Sequence, residues 1–405
     1  MLWQLALRNI WRNRRRTLLT LSAMVLSSAL LILCLGIFSG MLKDMLASAT
    51  EQYFGHLVIS AKGYQDDRDM FANFSSATDF SALQQSQIRG FSPRLRSFGL
   101  LSHQDNSSPV ELVGVLPQRE QTVTSLQQHL QAGTYLQDND SDGAVIGAGL
   151  ARRLDVKPGD QLVFVTQAAD GSIGNDLLQV RGVFATGDQG HDNGLVLVPL
   201  NWLQQLLVLP GRWHEISVRI EQPLQAASVA EQLRQQLPQA LEILDWGEML
   251  PEMREVVASY DVSRMIIVTI LYIATGLGIL NTFFMSVMER TCEFGVLMAV
   301  GMRPGQIRLL VLLETLVMGL ISLVIGVGLG ILLSLYMAYV GIDLSGSLTP
   351  ITYAGGTILP RLHAVLETAN VLVPAIILLL VCLVAGFLPA NRAARMQPVV
   401  AIREE

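Results

Sequence analysis

Long apolar windows alternate along this chain with mixed polar segments, and this pattern predicts four membrane spans. The windows begin at Thr17, Met265, Leu309 and Thr368, and each has the ~20 apolar residues that a helix needs to cross a bilayer. The third window is longer than this requirement, so we expect its helix to tilt, bend or project from the bilayer. The predicted transmembrane helices are residues 17–40, 265–288, 309–342 and 368–391.

Arginines near the ends of the spans predict the orientation of the chain. They concentrate before residue 17, between spans two and three, and after residue 391, whereas the loop between spans three and four holds only Arg361. Because Lys and Arg are enriched in cytoplasmic loops, we expect both termini and the hairpin of residues 289–308 to face the cytoplasm. The chain is then a multi-pass protein of the inner (cytoplasmic) membrane, with cytoplasmic tails at residues 1–16 and 392–405.

A cleaved signal peptide is the alternative to the first span. Ala47-Ser48-Ala49 would be its cleavage site. The apolar run that begins at Thr17 is too long for a signal peptide, and Lys43-Asp44 intervenes before the small residues. We therefore predict an uncleaved transmembrane helix.

The segment between spans one and two, residues 41–262, is acidic, with 15 Lys and Arg against 27 Asp and Glu and a net charge of −12. An acidic outer segment argues against nucleic acid as a partner, and the basic tails suit the anionic lipid of a bilayer. The three cysteines, Cys34, Cys292 and Cys382, all lie outside this segment. The external domain therefore folds without disulfides, and no pair of cysteines has the spacing of a metal site.

Short strands and helices within residues 41–262 predict an α+β domain. The fold class is therefore a membrane α-helical protein with four transmembrane helices and a large α+β extracytoplasmic domain inserted between helices 1 and 2. One part comprises residues 54–116 plus 213–246, and a β-rich insertion comprises residues 117–212. We expect strands at residues 56–61, 95–102, 110–116, 161–166, 176–184, 194–198, 215–220 and 241–245, helices at residues 79–87 and 226–237, and a strand followed by a short helix over residues 144–154.

The hairpin between spans two and three is the strongest candidate functional site. Its charged and apolar residues alternate as in a short helix that lies at the membrane interface. Gly301 is predicted to end this helix in a left-handed conformation, and Pro304 to begin the next helix. The residues predicted to contact a soluble partner are Glu289, Arg290, Glu293, Phe294, Gly301 and Arg303.

Polar and small residues inside the third span predict packing rather than chemistry. Glu314 is the charge within this span, and Arg290 or Arg308 could pair with it, because a buried carboxylate in lipid is costly when unpaired. Gly319, Gly326 and Gly330 share one helix face and would allow another helix to approach closely. The glycine pattern at residues 326–330 lacks the strand and lysine of a phosphate-binding loop.

Other residues give no catalytic constellation. His191, between Asp188 and Asp192, could suggest a metal site, but the Gly-rich segment around it favours a loop. We expect no catalytic residue, metal or cofactor in this chain.

The hairpin motif S-V-x-E-R-T-x-E-x-G at residues 286–295, followed by A-x-G and Glu314, resembles FtsX-like, MacB-type ABC-transporter permeases (type VII). Two further motifs are similar. The external domain carries Gly147, Leu150, Ala151, Leu154, Gly159, Asp160, Val180, Gly182 and Phe184, and the C-terminus carries Pro389, Ala390, Arg392, Ala393, Ala394, Pro398, Ala401, Arg403 and Glu404. The layout is most similar to lipoprotein-releasing permease subunits.

The resemblance implies an FtsX-like permease domain at residues 263–391 and porter-like and sabre-like parts in a MacB-like external domain. It also implies that the hairpin docks onto a separate cytoplasmic ATPase, which binds ATP and Mg. The permease would form a dimer with itself or a paralogue, and a periplasmic carrier or adaptor protein is a further expected partner. Lipoprotein release from the inner membrane is the expected function. The alternatives are MacB-like efflux and mechanotransmission that regulates a cell-wall hydrolase without transport.

Overall fold

The computed structural model describes residues 2–12, 14–343, 351–353, 356–358 and 361–396, which fall into two units. The helical unit comprises residues 1–42, 258–348 and 360–405, and the α+β unit comprises residues 43–257 and 349–359. The C-terminal motif from Pro398 to Glu404, and the end of the predicted tail, lie outside the described residues.

Long helices dominate the helical unit, and short helices and strands make up the α+β unit. The helices are α1 (Leu2–Arg12), α2 (Arg14–Thr50), α3 (Tyr64–Asp67), α4 (Pro117–Val123), α5 (Ala148–Leu154), α6 (Gln189–Gly194), α7 (Leu200–Leu206), α8 (Ala226–Gln236), α9 (Trp246–Met249), α10 (Pro251–Glu289), α11 (Thr291–Ala299), α12 (Pro304–Tyr339) and α13 (Thr368–Ala394). The strands are β1 (Leu57–Ala61), β2 (Phe74–Ser75), β3 (Ile88–His103), β4 (Asn106–Val115), β5 (Leu130–Gly133), β6 (Gly143–Gly147), β7 (Gln161–Gln167), β8 (Ile173–Phe184), β9 (Leu195–Pro199), β10 (Arg212–Trp213), β11 (Glu215–Ile220), β12 (Leu241–Asp245), β13 (Ile342–Asp343), β14 (Ile351–Tyr353), β15 (Gly356–Ile358) and β16 (Arg361–Leu362).

Four helices of the described residues are long and apolar enough to cross a membrane, as predicted. They are Thr17–Thr50 within α2, Pro251–Glu289, Pro304–Tyr339 and Thr368–Ala394. The third ends before the predicted limit of residue 342, because Gly341 adopts a φ of 66° and Ile342 then pairs with Leu362 between β13 and β16. The predicted N-terminal tail, residues 1–16, includes the helix α1.

The predicted glycine face of α12 packs against two helices of the same unit. A Cβ atom on Gly326 would lie 2.7 Å from the Cβ of Ser28, and one on Gly330 would lie 3.0 Å from the Cβ of Ile32, both on α2. A Cβ on Gly319 would lie 3.1 Å from the sulfur of Cys382 on α13. The absent side chains therefore allow α12 to approach both neighbours closely.

A ten-stranded sheet runs through the α+β unit, and the pairs β2–β10 and β14–β15 form separate two-stranded sheets. Its strand order among the described residues is β12-β1-β11-β3-β4-β9-β6-β8-β5, and β7 pairs with both β3 and β8. The long strand β3 pairs with β11 at its start and with β7 near its end. The sheet therefore continues across the predicted boundary at residue 116, because β3 and β4 of the first predicted part pair with β7 and β9 of the second.

Two local predictions in the α+β unit are wrong. The helix expected over residues 79–87 is only a short 3₁₀ turn, Ser81–Gln84, because Leu83 is its one buried residue and β3 begins at Ile88. The Gly-rich segment around His191 is the short helix α6 rather than a loop. Its first turn is stabilised by the Asp188 carboxylate, which accepts a hydrogen bond from the His191 N–H at 2.9 Å.

Candidate functional site

The hairpin between α10 and α12 consists of one short helix with a defined end. After α11, the Gly301 N–H donates to the Met298 carbonyl and the Met302 N–H donates to the Leu297 carbonyl, each at 3.0 Å. This pair of bonds is a Schellman motif, and Gly301 supplies the positive φ, 105°, that the motif needs. Both the predicted end of the helix at Gly301 and the predicted start of the next at Pro304 are confirmed.

One face of the hairpin is packed into the helical unit, and the other is exposed. Phe294 is fully buried in a cluster with residues of α10, α12 and α13, among them Val287, Ile307 and Ala390. Val300 is 83% exposed and Val296 is 47% exposed. The hairpin therefore has a fixed inner face and presents apolar side chains on its outer face.

A buried polar group fixes the base of the hairpin, and we call it the Glu314 node: Glu314, Arg290 and Asn9. An Arg290 terminal nitrogen lies 2.7 Å from one Glu314 oxygen, and Asn9 donates to the other oxygen at 2.7 Å. Arg290 also donates to Glu293 at 3.0 Å, and its guanidinium lies 5.0 Å from the centre of the Phe294 ring. Of the two predicted partners for Glu314, the structure therefore selects Arg290.

The Glu314 node joins three separate parts of the chain. Asn9 belongs to α1, Arg290 lies between α10 and α11, and Glu314 belongs to α12. A cavity of about 20 Å³ adjoins the node, is lined by Thr17, Ser286 and further hydroxyl side chains, and is large enough for one water molecule. Both carboxylate oxygens of Glu314 have a donor, which offsets the cost of burying its charge.

The predicted contact residues divide into an exposed and a buried set. Glu289, Gly301 and Arg303 are exposed, and the Glu293 side chain is 38% exposed. Arg290 and Phe294 are buried, so in this structure they hold the hairpin in place and offer no surface to a partner. No local pattern indicates that Asn9 contributes, because its contact with Glu314 joins residues 305 positions apart.

A metal site at His191 is not supported by the structure. Among the described residues, no group of three or more His, Cys, Asp or Glu side chains is placed to hold a metal ion. The His191 ring instead stacks on the Tyr53 ring, with 4.1 Å between their centres. Burial lowers the pKa of His191, which favours the neutral ring at physiological pH.

Two family descriptions match most of the chain. Residues 17–236 match the family described as MacB-like periplasmic core domain, and residues 265–398 match the family described as FtsX-like permease C-terminal. The first match includes more than half of the chain, and the second includes α11, α12 and the Glu314 position. The hairpin and the glycine face therefore lie in the FtsX-like part.

Individual relatives are similar to this chain over much of its length. The lipoprotein-releasing system transmembrane protein LolE of Haemophilus influenzae is 26% identical, over 78% of this chain and 77% of that protein. LolC of Xylella fastidiosa is 24% identical, over 94% of this chain and 92% of that protein. The macrolide export ATP-binding/permease protein MacB 2 of Aeromonas hydrophila is 23% identical over 99% of this chain, which spans 60% of that relative's length.

Solved structures include a similar external region. The crystal structure of the periplasmic region of MacB from Actinobacillus actinomycetemcomitans is 16% identical, covers 53% of this chain and 95% of that one, and gives a TM-score of 0.37.

Proposed function

We propose a function for this chain from its family, since it belongs to the ABC-transporter permeases that have a MacB-like periplasmic core domain and an FtsX-like C-terminal domain. In this function, the chain transmits the motion of a cytoplasmic ATPase to its α+β unit. The coarser function, an ABC-transporter permease of the LolC/LolE or MacB type, follows from the family. In the proposed function, motion passes from the ATPase to the α+β unit, and the hairpin residues receive it.

The exposed face of the hairpin is the observation that carries this proposal. Glu289, Gly301 and Arg303 are exposed there, beside the apolar side chain of Val300. A surface that combines charged and apolar side chains suits a groove in a soluble protein. Because the opposite face is fixed by Phe294 and the Glu314 node, a displacement of the hairpin would move α10 and α12 with it.

The orientation that this function requires places the hairpin and both termini in the cytoplasm of an inner-membrane protein. Native Cys292 is exposed on the hairpin, so it provides a label without any substitution. In intact cells, an impermeant thiol reagent should leave Cys292 unmodified and should modify a Gln127→Cys variant in the α+β unit. Modification of Cys292, with Gln127→Cys protected, would reverse the orientation and remove the proposed function.

Energy supply provides a second test. We expect the purified chain to neither bind nor hydrolyse ATP by itself, and a co-purified ATPase subunit to supply both activities together with Mg. Fluorescent ATP analogue binding by a preparation free of other subunits would contradict this expectation. The permease would act as a dimer, with itself or with a paralogue.

Lipoprotein release from the inner membrane is the substrate assignment that we propose. It is supported by the two lipoprotein-releasing relatives, which are matched over 77% and 92% of their own length. In proteoliposomes that contain the permease and its ATPase, a fluorescent triacylated lipopeptide should leave the bilayer only when ATP is present. A periplasmic carrier or adaptor protein would receive the substrate.

MacB-like efflux is the second candidate, and the macrolide-export relative supports it, since it is matched over 99% of this chain. A macrolide would then stimulate the ATPase of the same proteoliposomes, and the lipopeptide would remain in the bilayer. Mechanotransmission without transport predicts a third result, in which neither compound is moved although the α+β unit responds to nucleotide.

A further inference from the structure

One face of the strands β1, β11 and β3 is polar yet buried. Ser60 lies opposite Glu215 across β1 and β11, Ser217 lies opposite Ser92 across β11 and β3, and Arg94 lies opposite Glu215. All five side chains are at most 2% exposed. The other face of the same strands is an apolar core that includes Leu57, Ile59, Ile216 and Val218.

Arg96 organises the charges on the polar face. Its guanidinium lies 2.6 Å from a Glu215 oxygen, 2.5 Å from a Glu111 oxygen and 2.5 Å from the Tyr53 hydroxyl. The Tyr53 hydroxyl in turn donates to Glu111 at 2.8 Å. We call these four residues the ionic clamp.

The Tyr53 side chain is held at its ring as well as at its hydroxyl. The His191 ring stacks on it, and the Arg96 guanidinium lies 5.0 Å from its centre, in a cation–π contact. Burial raises the pKa of Tyr53 to about 12, so the hydroxyl keeps its proton and remains a donor to Glu111.

The ionic clamp fixes the segment that directly follows α2. This helix runs without a break from Arg14 to Thr50, and its last turns contribute Met45 and Leu46 to the apolar core of the α+β unit. Glu51 forms a salt bridge with Arg219 on β11, and Tyr53 joins the clamp two residues later. The segment that follows α2 is therefore bound to β11 through an ion pair and to charged side chains of β3 and β4 through the Tyr53 hydroxyl.

The start of α10 is held differently. Arg254, in its first turn, forms a salt bridge of 3.2 Å with Asp245 at the end of β12, but the Arg254 side chain is 55% exposed. Exposed salt bridges contribute little stability because water screens them. The sheet is therefore attached more firmly to the end of α2 than to the start of α10 by ionic contacts.

The geometry points to the ionic clamp as the connection through which movement of α2 is transmitted to the sheet, with Tyr53 and Arg96 as positioning residues. This inference rests on the proposed function, because it assumes that the ATPase displaces α12 and with it α2, against which Gly326 and Gly330 of α12 pack. Buried charges add little net stability compared with apolar side chains, but they favour one arrangement of their partners over others. A network of charged groups is therefore suited to a connection whose partners must keep the same arrangement while they move.

Hydrogen exchange in the complete permease–ATPase complex tests the connection. Exchange would be compared, with and without ATP plus vanadate, in two segments: the hairpin of residues 289–308 and the strands β3 and β11. In the wild type, both segments should respond to nucleotide. In Tyr53→Phe, which removes only the hydroxyl, the hairpin should still respond, while the response of β3 and β11 falls about tenfold, as expected for the loss of charge-assisted hydrogen bonds.

Two further variants separate transmission from folding. Glu111→Gln keeps the size of the side chain but removes its charge, and it should reproduce the effect of Tyr53→Phe. Tyr135→Phe removes a hydroxyl from another buried tyrosine of the α+β unit and should respond as the wild type does, because among the described residues no hydrogen bond links Tyr135 to Arg96 or Glu111. Thermal unfolding of each variant complex provides the check on folding.

The outcomes distinguish the two proposals. A wild-type response of β3 and β11 in both Tyr53→Phe and Glu111→Gln overturns the ionic clamp and leaves the coupling function intact. A hairpin response without any response of the strands in the wild type also overturns the clamp. If neither segment of the wild type responds to nucleotide, the proposed function fails and the clamp fails with it.

Discussion

The two buried polar networks of this chain differ in how many partners share each charge. In the Glu314 node, the carboxylate has one cation, Arg290, and one neutral donor, Asn9. In the ionic clamp, Glu215 lies within 4 Å of three guanidinium groups, those of Arg68, Arg94 and Arg96. The node therefore depends on one ion pair, whereas the Glu215 charge in the clamp is shared by several cations.

The difference follows from the elements that carry the two networks. Helices contribute one side chain per turn to a shared face, so a site between three helices collects few groups. Neighbouring strands place side chains about 5 Å apart on one face, so charged residues at alternate positions form an extended network. We infer that removal of one side chain leaves the buried charge of the node without a cation, whereas removal of one side chain from the clamp leaves other charged partners in place.

The largest expected effect is the loss of Arg290. Arg290→Ala would leave Glu314 buried without a cation, which destabilises a protein by ~3–5 kcal/mol in comparable cases. Thermal unfolding of the purified chain in detergent, together with protease accessibility of the hairpin, measures this. Arg303→Ala is the matched control, because Arg303 is exposed on the same hairpin. An Arg290→Ala variant as stable as this control would show that the node adds no stability.

A smaller effect is expected at the centre of the clamp. Arg96→Lys keeps the charge but cannot reach Glu215, Glu111 and Tyr53 together, so at least one hydrogen bond to a charged group, each worth about 1.5–3 kcal/mol, would be lost. Unfolding of the α+β unit in the full chain, followed by hydrogen exchange of β3, measures the loss. A greater destabilisation than that of Arg290→Ala would contradict the comparison between a single contact and a shared network.

Substitutions on the exposed face of the hairpin should weaken assembly with the ATPase without unfolding the chain. Glu289→Lys reverses an exposed charge, and Gly301→Val replaces a residue with a φ of 105° by a β-branched one that resists this conformation. Each should weaken docking of the ATPase by about 1–3 kcal/mol. Co-purification of the ATPase and ATP-dependent release measure the effect.

A third reversal at the hairpin, Glu293→Lys, combines both kinds of change, because Glu293 also contacts Arg290. It should reduce assembly and hairpin stability together, because the contact with Arg290 is lost along with the negative charge. Wild-type assembly and release in all three variants would remove the hairpin from the coupling function.

The smallest expected effect is a gradual dependence of the stability of the α+β unit on pH. Burial lowers the pKa of His214 below its ordinary value of 6.5, although hydrogen bonds of its ring with the Met70 carbonyl and the Arg96 backbone N–H act in the opposite direction. The unfolded chain then binds more protons, so the stability of the α+β unit should fall as the pH drops below 6.5. Burial alone would raise the pKa of Glu215, but Arg96, Arg94 and Arg68 lower it to about 2, so a further loss follows between pH 4.5 and about 2.

A substitution isolates the histidine contribution. His214→Gln can retain both hydrogen bonds, to the Arg96 N–H and to the Met70 carbonyl, without a titratable group. The decline in stability between pH 6.5 and 4.5 should therefore become shallower in this variant, while the decline at lower pH remains. Tryptophan fluorescence across a pH series provides the measurement, and identical profiles for the variant and the wild type would exclude His214 as the source.

Much of the architecture could be predicted from periodicity. The four apolar helices, the strands over 215–220 and 241–245, and the positive φ of Gly301 follow from local patterns, because chain length, alternation and turn chemistry act within a few residues. The pattern predicts a longer helix where the structure has the 3₁₀ turn Ser81–Gln84, and a loop where it has α6, because segments of this length carry few periodic positions.

The polar alternation of β1 and β11 shows the limit of this reasoning. Alternation indicates a strand with one apolar and one polar face, and it does not reveal whether the polar face meets water or other side chains. Only the tertiary structure shows that Ser60, Glu215 and Ser217 are buried.

The sequence by itself determined which segments are apolar enough to cross a membrane, where the acidic domain is inserted, and which hairpin carries the family motif. The tertiary structure alone decided that Arg290 points inward to Glu314, that Asn9 completes the node, and that Tyr53 reaches Arg96 on β3. The reason is physical: these contacts join residues between 24 and 305 positions apart, and no local pattern in the chain specifies which distant charge will be buried against which partner.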